Sequence, residues 1–317
     1  MRIICILFGI FICFGYNIIM KYDVVIIGAG PAGLSAGIFT ARAGLKTLCL
    51  EKLATGGQAA LSYEVANYPG FESISGWDLM QKMQQQATSC GMELEFAQVV
   101  KLTKLTSSFK IETKQQTYLA KKVIVACGAK ARKLGLENEL ELTGKGVSYC
   151  ASCDGNFFKN KAVAVVGGGN TAMEDVEYLS KIASKVYLIN RSETFRADQV
   201  TVNAVKKMKN VKIITSSVVT KLIGERNLTG IEMSIANKKR MLAVDGLFVA
   251  IGYEPDLEFM KIKIEKDSAG YIVVDKNMQT NVKNLFACGD IISKDFKQII
   301  TACADGAVAG NSCVGEK

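Results

Sequence analysis

Cys150 and Cys153 lie two residues apart in the stretch Val147-Ser148-Tyr149-Cys150-Ala151-Ser152-Cys153-Asp154-Gly155. Two thiols at this spacing close a small ring that opens again without moving the rest of the chain, which suits dithiol–disulfide exchange. The sequence contains no histidine, so a proton moved during thiol chemistry must come from another group. Asp154, directly after the second cysteine, is the nearest candidate. Two plainer readings stand beside this one: a structural disulfide, or half of a zinc site. Zinc takes four Cys or His ligands, commonly as two spaced pairs, and no second C-x-x-C exists, so no metal is expected.

Two glycine-rich turns are placed to position this pair. Residues 21–27 (KYDVVII) read as a strand buried on both faces, followed at once by Gly28-Ala29-Gly30-Pro31-Ala32-Gly33 and a helical stretch over 34–43. This is G-x-G-x-x-G in a strand–turn–helix setting, which brings a dinucleotide pyrophosphate to the backbone and to a helix amino terminus. The next strand, 46–50, ends at Glu51, an acid placed to bind ribose hydroxyls and to repel a 2′-phosphate. Loops follow at Gly56-Gly57-Gln58 and Asn67-Tyr68-Pro69-Gly70. A helix over 75–89 is expected to use Trp77, Leu79, Met80 and Met83 as its apolar side, with Trp77 in the core. Strands near 93–100, 109–113 and 122–126 lead to Cys127-Gly128-Ala129, a strand end opening onto a ligand edge.

The second turn follows the strand 162–166 and reads Gly167-Gly168-Gly169-Asn170-Thr171-Ala172, opening a helix over 173–182. Here the following strand, 185–189, runs into Asn190-Arg191-Ser192-Glu193-Thr194-Phe195-Arg196. Arginines in place of the acid suit a 2′-phosphate through forked, charge-assisted bonds; a solvated basic loop is the plainer reading. An acid at one strand end and arginines at the other imply two dinucleotides, FAD first and NADPH second. Residues 245–252 form a strand leading to Tyr253-Glu254-Pro255, a crossover back to the first unit. Asn284–Cys288 forms another strand, and Gly289-Asp290 after it places an acid to bond a ribityl hydroxyl. The Ala- and Gly-rich helix that begins near Lys297-Gln298-Ile299 can set its amino terminus against the flavin's pyrimidine edge.

Composition agrees with this class. The 317 residues suffice for two cores, 49% are apolar and 22% charged, and 29 glycines stand against 3 prolines. Ten cysteines are too dilute for a disulfide scaffold, and Cys49, Cys127 and Cys288 lie in apolar or small-residue contexts expected of reduced, buried thiols. The net charge of +9 is spread over short clusters such as Lys238-Lys239-Arg240, without a basic helix or aromatic-interleaved stripe. That argues against nucleic acid and allows electrostatic steering of an acidic protein partner. Residues 3–20 (IICILFGIFICFGYNIIM) have the length and apolarity of a signal-anchor or signal-peptide core, but no small-x-small cleavage site is evident. Met20 leads straight into a strand, as a native start would. The working protein is therefore expected to begin at Met20 and to be cytoplasmic, with membrane contact only if residues 1–19 are made and retained.

Taken in order, GAGPAG, GGQ, CASCDG, GGGNTAMEDVEYLS, the arginine loop and ACGD…KQIITA resemble the low-molecular-weight thioredoxin reductase family over residues 20–317. The resemblance implies an α/β fold of two Rossmann-like, three-layer domains, the second inserted into the first. Residues 20–130 and 256–317 would form the FAD domain, and 131–255 the NADPH domain carrying the C-x-x-C. It implies FAD on Gly28, Gly30, Pro31, Ala32, Gly33, Glu51, Gly57, Gln58, Asn67, Gly128, Gly289, Asp290, Lys297, Gln298 and Ile299. NADPH would lie on Gly167, Gly169, Asn170, Thr171, Arg191 and Arg196. Cys153 would take electrons from the flavin, Cys150 would exchange with the disulfide of thioredoxin, and Asp154 would donate the proton. A homodimer and a large rotation of one domain against the other are implied as well. Three departures from the family pattern stand out: Asn190-Arg191-Ser192 stands for His-Arg-Arg, Cys127 for Thr, and Lys297 for Arg. The competing functions are a flavin disulfide reductase using NADH, ferredoxin or another dithiol substrate, and a membrane-tethered nucleotide-sensing protein resting on residues 1–19 alone.

Overall fold

The computed structural model describes residues 20–62, 64–235 and 238–315; the apolar stretch 1–19 lies outside them. The first unit contains β1 (Met20–Ile27), α1 (Pro31–Arg42), β2 (Thr47–Glu51), α2 (Gly76–Ser89), β3 (Glu93–Phe96), β4 (Val99–Lys104), β5 (Phe109–Thr113) and β6 (Thr117–Val125). After β7 (Ala129–Ala131) and α3 (Glu139–Leu142) come β8 (Val147–Ser148), α4 (Ala151–Asp154), β9 (Ala162–Val166), α5 (Asn170–Ser180) and β10 (Lys185–Ile189). Then follow α6 (Gln199–Lys206), β11 (Val211–Ile214), β12 (Ser217–Ile223), β13 (Gly230–Ile235), β14 (Lys238–Ala243) and β15 (Gly246–Val249). The chain ends with β16 (Tyr253–Pro255), β17 (Leu285–Ala287) and α7 (Ile299–Gly315).

The first sheet runs β3-β2-β1-β6-β5-β4, with β17 also on β6. Its centre is parallel: Ile27 faces Leu50 of β2 on one side and Val125 of β6 on the other. Successive β1 residues feed two different cores. Val24 and Ile26 pack with α1, α2 and α7, while Val25 and Ile27 pack toward β4, β5 and the segment after β16. That is why residues 24–27 of β1 read as an unbroken apolar run rather than an alternation. The second sheet, β11-β10-β9-β15-β8, repeats the arrangement: Val163 and Val165 face α5 and α6, and Ala164 and Val166 face the β12–β13–β14 meander. Burying each such aliphatic side chain contributes about 1.5–3 kcal/mol.

The fold is thus the expected α/β pair of Rossmann-like units, the second inserted between β6 and β17 of the first. The chain crosses between them twice, and the crossings pair with each other: Tyr253, Glu254 and Pro255 lie antiparallel to Ala131, Lys130 and Ala129.

Two expectations are corrected. The strand expected over 93–100 is two strands on opposite edges of the sheet, β3 parallel to β2 and β4 antiparallel to β5. Trp77 is 53% exposed rather than in the core. The buried residues of α2 are Gly76, Leu79, Met80, Met83 and Ala87, a stripe at i, i+3, i+4, i+7 and i+11, and Trp77 sits one residue off it.

Candidate active site

The two glycine turns occupy equivalent places, each between the end of a central strand and the start of a helix. At the first, Gly28 adopts φ +106°, and a Cβ there would come 2.5 Å from the Ala126 carbonyl oxygen. A Cβ on Gly33 would stand 1.9 Å from the Gly28 oxygen, so helix and turn touch backbone to backbone. At Gly30 the nearest atom to such a Cβ is the Gly56 oxygen, 4.0 Å away, which leaves the face of the turn open. No side chain caps the amino terminus of α1, so its first N–H groups are left for an anion, beside Pro31 and Ala32.

The other residues expected at this site converge on the same turn. Buried Glu51 accepts from the N–H of Ala29 at 2.9 Å and of Leu53 at 3.0 Å. The Gly57–Leu61 turn is tied to it by Gly56 N–H donating to Ala29 O at 2.8 Å. Gln58 Nε2 donates to Ala129 O at 2.5 Å, beside Gly128 (φ +63°), and Asn67 Nδ2 donates to Gln298 Oε1 at 3.1 Å. A Cβ on Gly289 would lie 2.7 Å from Ala32 Cβ, which brings Asp290 to the turn as well. Lys297, just ahead of Ile299, donates to Asp290 O at 3.2 Å and stands over the Tyr271 ring. Burial holds the Lys297 ammonium below the usual lysine range.

These residues fit a flavin dinucleotide. The open face at Gly30 leaves room for a pyrophosphate, and Asp290 offers a polar atom that needs a partner: its Oδ1 is buried and not hydrogen-bonded. Burial raises the Asp290 carboxyl above its ordinary range, against the opposing pull of Lys294 and Lys297.

The second turn has the same build. A Cβ on Gly167 would meet Ala250 O at 2.2 Å, whereas Gly169 has open space and the amino terminus of α5 has no side-chain cap. Asn170 and Asp198 bond reciprocally: Nδ2 donates to Oδ2 at 3.0 Å, and the Asp198 N–H donates to Oδ1 at 2.9 Å. Thr171 is exposed on the first turn of the helix. Arg191 and Arg196 are exposed as well, and neither forms an ion pair among the described residues. The uncapped helix terminus and the exposed arginines therefore suit an anionic ligand.

Cys150 and Cys153 form a disulfide with their Cα atoms 5.4 Å apart. Cys150 is half-buried, Cys153 exposed, and the Cys153 N–H donates to the Cys150 sulfur at 3.2 Å. An N–H aimed at a sulfur stabilises its thiolate once the pair is reduced. Asp154 follows on the same turn. The loop is anchored from below, since a Cβ on Gly155 would come 2.9 Å from the Tyr178 ring of α5. The redox pair and the second dinucleotide turn therefore share one support.

Three contributors carry no sequence signal of their own. Ser152, between the cysteines, donates through Oγ to Leu61 O at 2.5 Å, so the redox loop rests on the turn that carries Gln58. Buried Glu139 accepts from the N–H groups of Leu134, Gly135 and Leu136 and from the Tyr149 hydroxyl, fixing the residue before Cys150. Asp175 on α5 has its carboxyl raised to about 7, first by burial and then by the neighbouring Glu174 charge. The long-range partners of the first two and the burial of the third exist only in the fold. Among the described residues Cys49, Cys288 and Cys303 are free and buried, and Cys90 and Cys127 are free and partly buried. Burial pushes the Cys127 thiol up to about 12, which makes it a poor nucleophile.

Comparison with known proteins agrees with this geometry. Residues 22–306 match the family described as pyridine nucleotide-disulphide oxidoreductase. The thioredoxin reductase of Listeria monocytogenes is 41% identical over 295 residues, 92% of each chain. The solved thioredoxin reductase of Lactococcus lactis, in its FR conformation, superposes with a TM-score of 0.88 at 37% identity, covering 92% of this chain and 98% of that one. The thioredoxin reductase of Streptococcus pyogenes, at 36% identity and 92% and 97% coverage, gives a TM-score of 0.61. A flavin and a pyridine nucleotide are the cofactors that this family implies. Two dinucleotide turns, a dithiol on the support of the second, and likeness along nearly the whole chain lead to one conclusion: the protein belongs to the pyridine nucleotide-disulphide oxidoreductase family, among the thioredoxin reductases it resembles.

Proposed function

We propose that the protein is an NADPH-dependent thioredoxin-disulfide reductase with FAD on the first glycine turn and NADPH on the second. The observation that carries this reading is the Cys150–Cys153 disulfide, seated on α5 and touching the Gly57–Leu61 turn through Ser152. Flavin, when bound, takes a hydride equivalent from reduced nicotinamide and delivers the electron pair to a disulfide. The protein's residues supply the rest. Asp290, Glu51, Gln58, Asn67 and Gln298 hold and orient the first dinucleotide; Arg191 and Arg196 pair with the 2′-phosphate of the second.

In the reduced pair, Cys150 is the attacking thiolate, supported by the Cys153 N–H. It forms a mixed disulfide with thioredoxin and releases one thioredoxin thiolate, which takes a proton. The Cys153 thiolate then attacks the Cys150 sulfur, releasing the second thioredoxin thiolate and restoring the Cys150–Cys153 bond. Asp154 is the proton carrier for this exchange. Because the redox loop and the NADPH turn share α5, they reach one flavin only in alternation. Near-equal identity but TM-scores of 0.88 and 0.61 against two relatives are what units of one fold placed at different relative angles produce. The crossings lie in the β7–β16 ribbon, which supports domain limits at 130/131 and 255/256.

A homodimer is part of this proposal. Ile300 and Val308 on α7 and Phe39 on the adjoining α1 are large apolar side chains left 38%, 38% and 44% exposed, as a covering partner would require. No helix among the described residues is long and apolar enough to cross a membrane, and the free buried thiols suit the cytoplasm. The test is thioredoxin reduction by purified residues 20–317 with NADPH and with NADH. Yellow protein and a higher kcat/KM with NADPH are expected; colourless, inert protein would overturn the proposal, and equal or reversed values would overturn the choice of NADPH.

A further inference from the structure

Asn190 directly follows β10, at the place equivalent to Glu51 at the end of β2. Its side chain faces inward: the residue is 5% exposed, and Nδ2 donates to Ser192 O and to Thr194 O, both at 2.9 Å. Its backbone is fixed as well, with N–H donating to Ile214 O at 2.9 Å and the carbonyl accepting from Ser217 N–H at 3.1 Å. On the other side the amide lies against the glycine turn, where a Cβ on Gly168 would meet Asn190 Oδ1 at 2.5 Å. The Gly168 oxygen then accepts from the N–H of Arg196 at 2.7 Å and of Ala197 at 3.2 Å. One buried amide and two backbone bonds thus join the glycine turn to both ends of the Arg191–Arg196 loop. An amide carries the two donors needed for two carbonyls, and a carboxylate has none.

We infer that Asn190 is a positioning residue for nucleotide selection: it holds Arg191 and Arg196 in place for a 2′-phosphate without touching the nucleotide. The inference rests on the reading that this loop receives NADPH. The loop lacks an arginine at Ser192, so its discrimination depends on the two arginines already standing in position. Ordering the loop before the ligand arrives removes that entropy loss from the binding step. NADH carries no 2′-phosphate and gains nothing from the order.

The experiment uses FAD-loaded protein and measures kcat and KM for NADPH and NADH in Asn190→Ala and Asn190→His, with melting temperature and flavin content alongside. For Asn190→Ala, KM for NADPH should rise about 10- to 100-fold, while KM for NADH changes less than about threefold and kcat with NADPH stays within about twofold. Asn190→His, with a ring N–H for one of the two carbonyls, should fall between. If both nucleotides lose affinity in parallel with a fall in melting temperature, Asn190 is only structural and the inference is overturned. An unchanged KM for NADPH in either folded variant overturns it too. A wild-type protein that NADPH does not reduce is a separate result, visible before any variant is made, and it removes the reductase reading together with this one.

Discussion

Asp290 and Lys294 stand four residues apart, with 3.8 Å between Oδ1 and Nζ, and do not hydrogen-bond, because Lys294 is committed to Asp305 at 2.6 Å. The consequence is a buried carboxylate oxygen with a cation near enough to support its charge but too far to occupy its lone pairs. Such an atom is a ready acceptor for a ligand hydroxyl.

Removing that acceptor should therefore weaken the flavin. Asp290→Ala is expected to purify with markedly less flavin per chain than wild type, and Asp290→Asn, which keeps one carbonyl acceptor, with an intermediate amount. Visible absorbance against protein concentration checks this. Wild-type occupancy in Asp290→Ala would exclude Asp290 from the flavin site.

Cys150→Ser and Cys153→Ser should each abolish thioredoxin reduction and leave reduction of the bound flavin by NADPH intact, as seen in stopped-flow absorbance. The two variants differ in one respect. Cys153→Ser retains the attacking thiol, so it should trap a mixed disulfide with thioredoxin that Cys150→Ser does not form. Non-reducing electrophoresis distinguishes them.

Phe157, three residues beyond Asp154, is 74% exposed although aromatic and close to the redox pair. A large exposed ring beside a protein-reactive disulfide is suited to anchoring the substrate protein, and anchors of this kind typically cost more than 1 kcal/mol when truncated. Phe157→Ala should raise KM for thioredoxin about tenfold, leaving flavin reduction by NADPH and KM for NADPH as they are. Steady-state kinetics at varied thioredoxin will show whether KM moves.

Asp175, with its carboxyl raised from 3.8 to about 7, makes stability depend on pH. Below the lower value the carboxyl is protonated whether the chain is folded or not, and the shift has no effect. Between the two values the folded state holds the proton more tightly, so stability falls as pH rises through this window and levels off above about 7. Asp175→Asn removes the penalty: its melting temperature should exceed that of wild type at pH 8 and differ little at pH 4. A uniform offset across the pH range would show that burial of the charge is not the cause.

The two nucleotide turns were readable because burial on both faces leaves long apolar runs such as 24–27 and 162–166, each ending in glycines. Backbone approaches as close as the one at Gly33 admit nothing larger. Local pattern failed where tertiary context decided. Residues 93–100 read as one strand, yet Ala97 N–H donates to Glu51 O and the chain then passes to the opposite edge of the sheet. Trp77 misled by type alone, for the spacing of α2 excludes it from the buried stripe. Asn190 showed in the sequence only as a departure from the family's His, because a side chain that bonds nearby carbonyls has no periodicity to betray it. Ser152 offered still less, its partner Leu61 being 91 positions away.

The pairing of Ala129–Ala131 with Tyr253–Pro255 bears on how the two units can move. Two tethers hydrogen-bonded side by side resist stretching, and they resist shear across their ladder, but a two-stranded ribbon twists readily. The motion this joint leaves open is a swivel about the ribbon's length, in which neither sheet has to unfold or slide. A disulfide stapling Lys130 to Glu254 after substitution of both by cysteine would stiffen that pivot and slow turnover while leaving each half-reaction chemically competent.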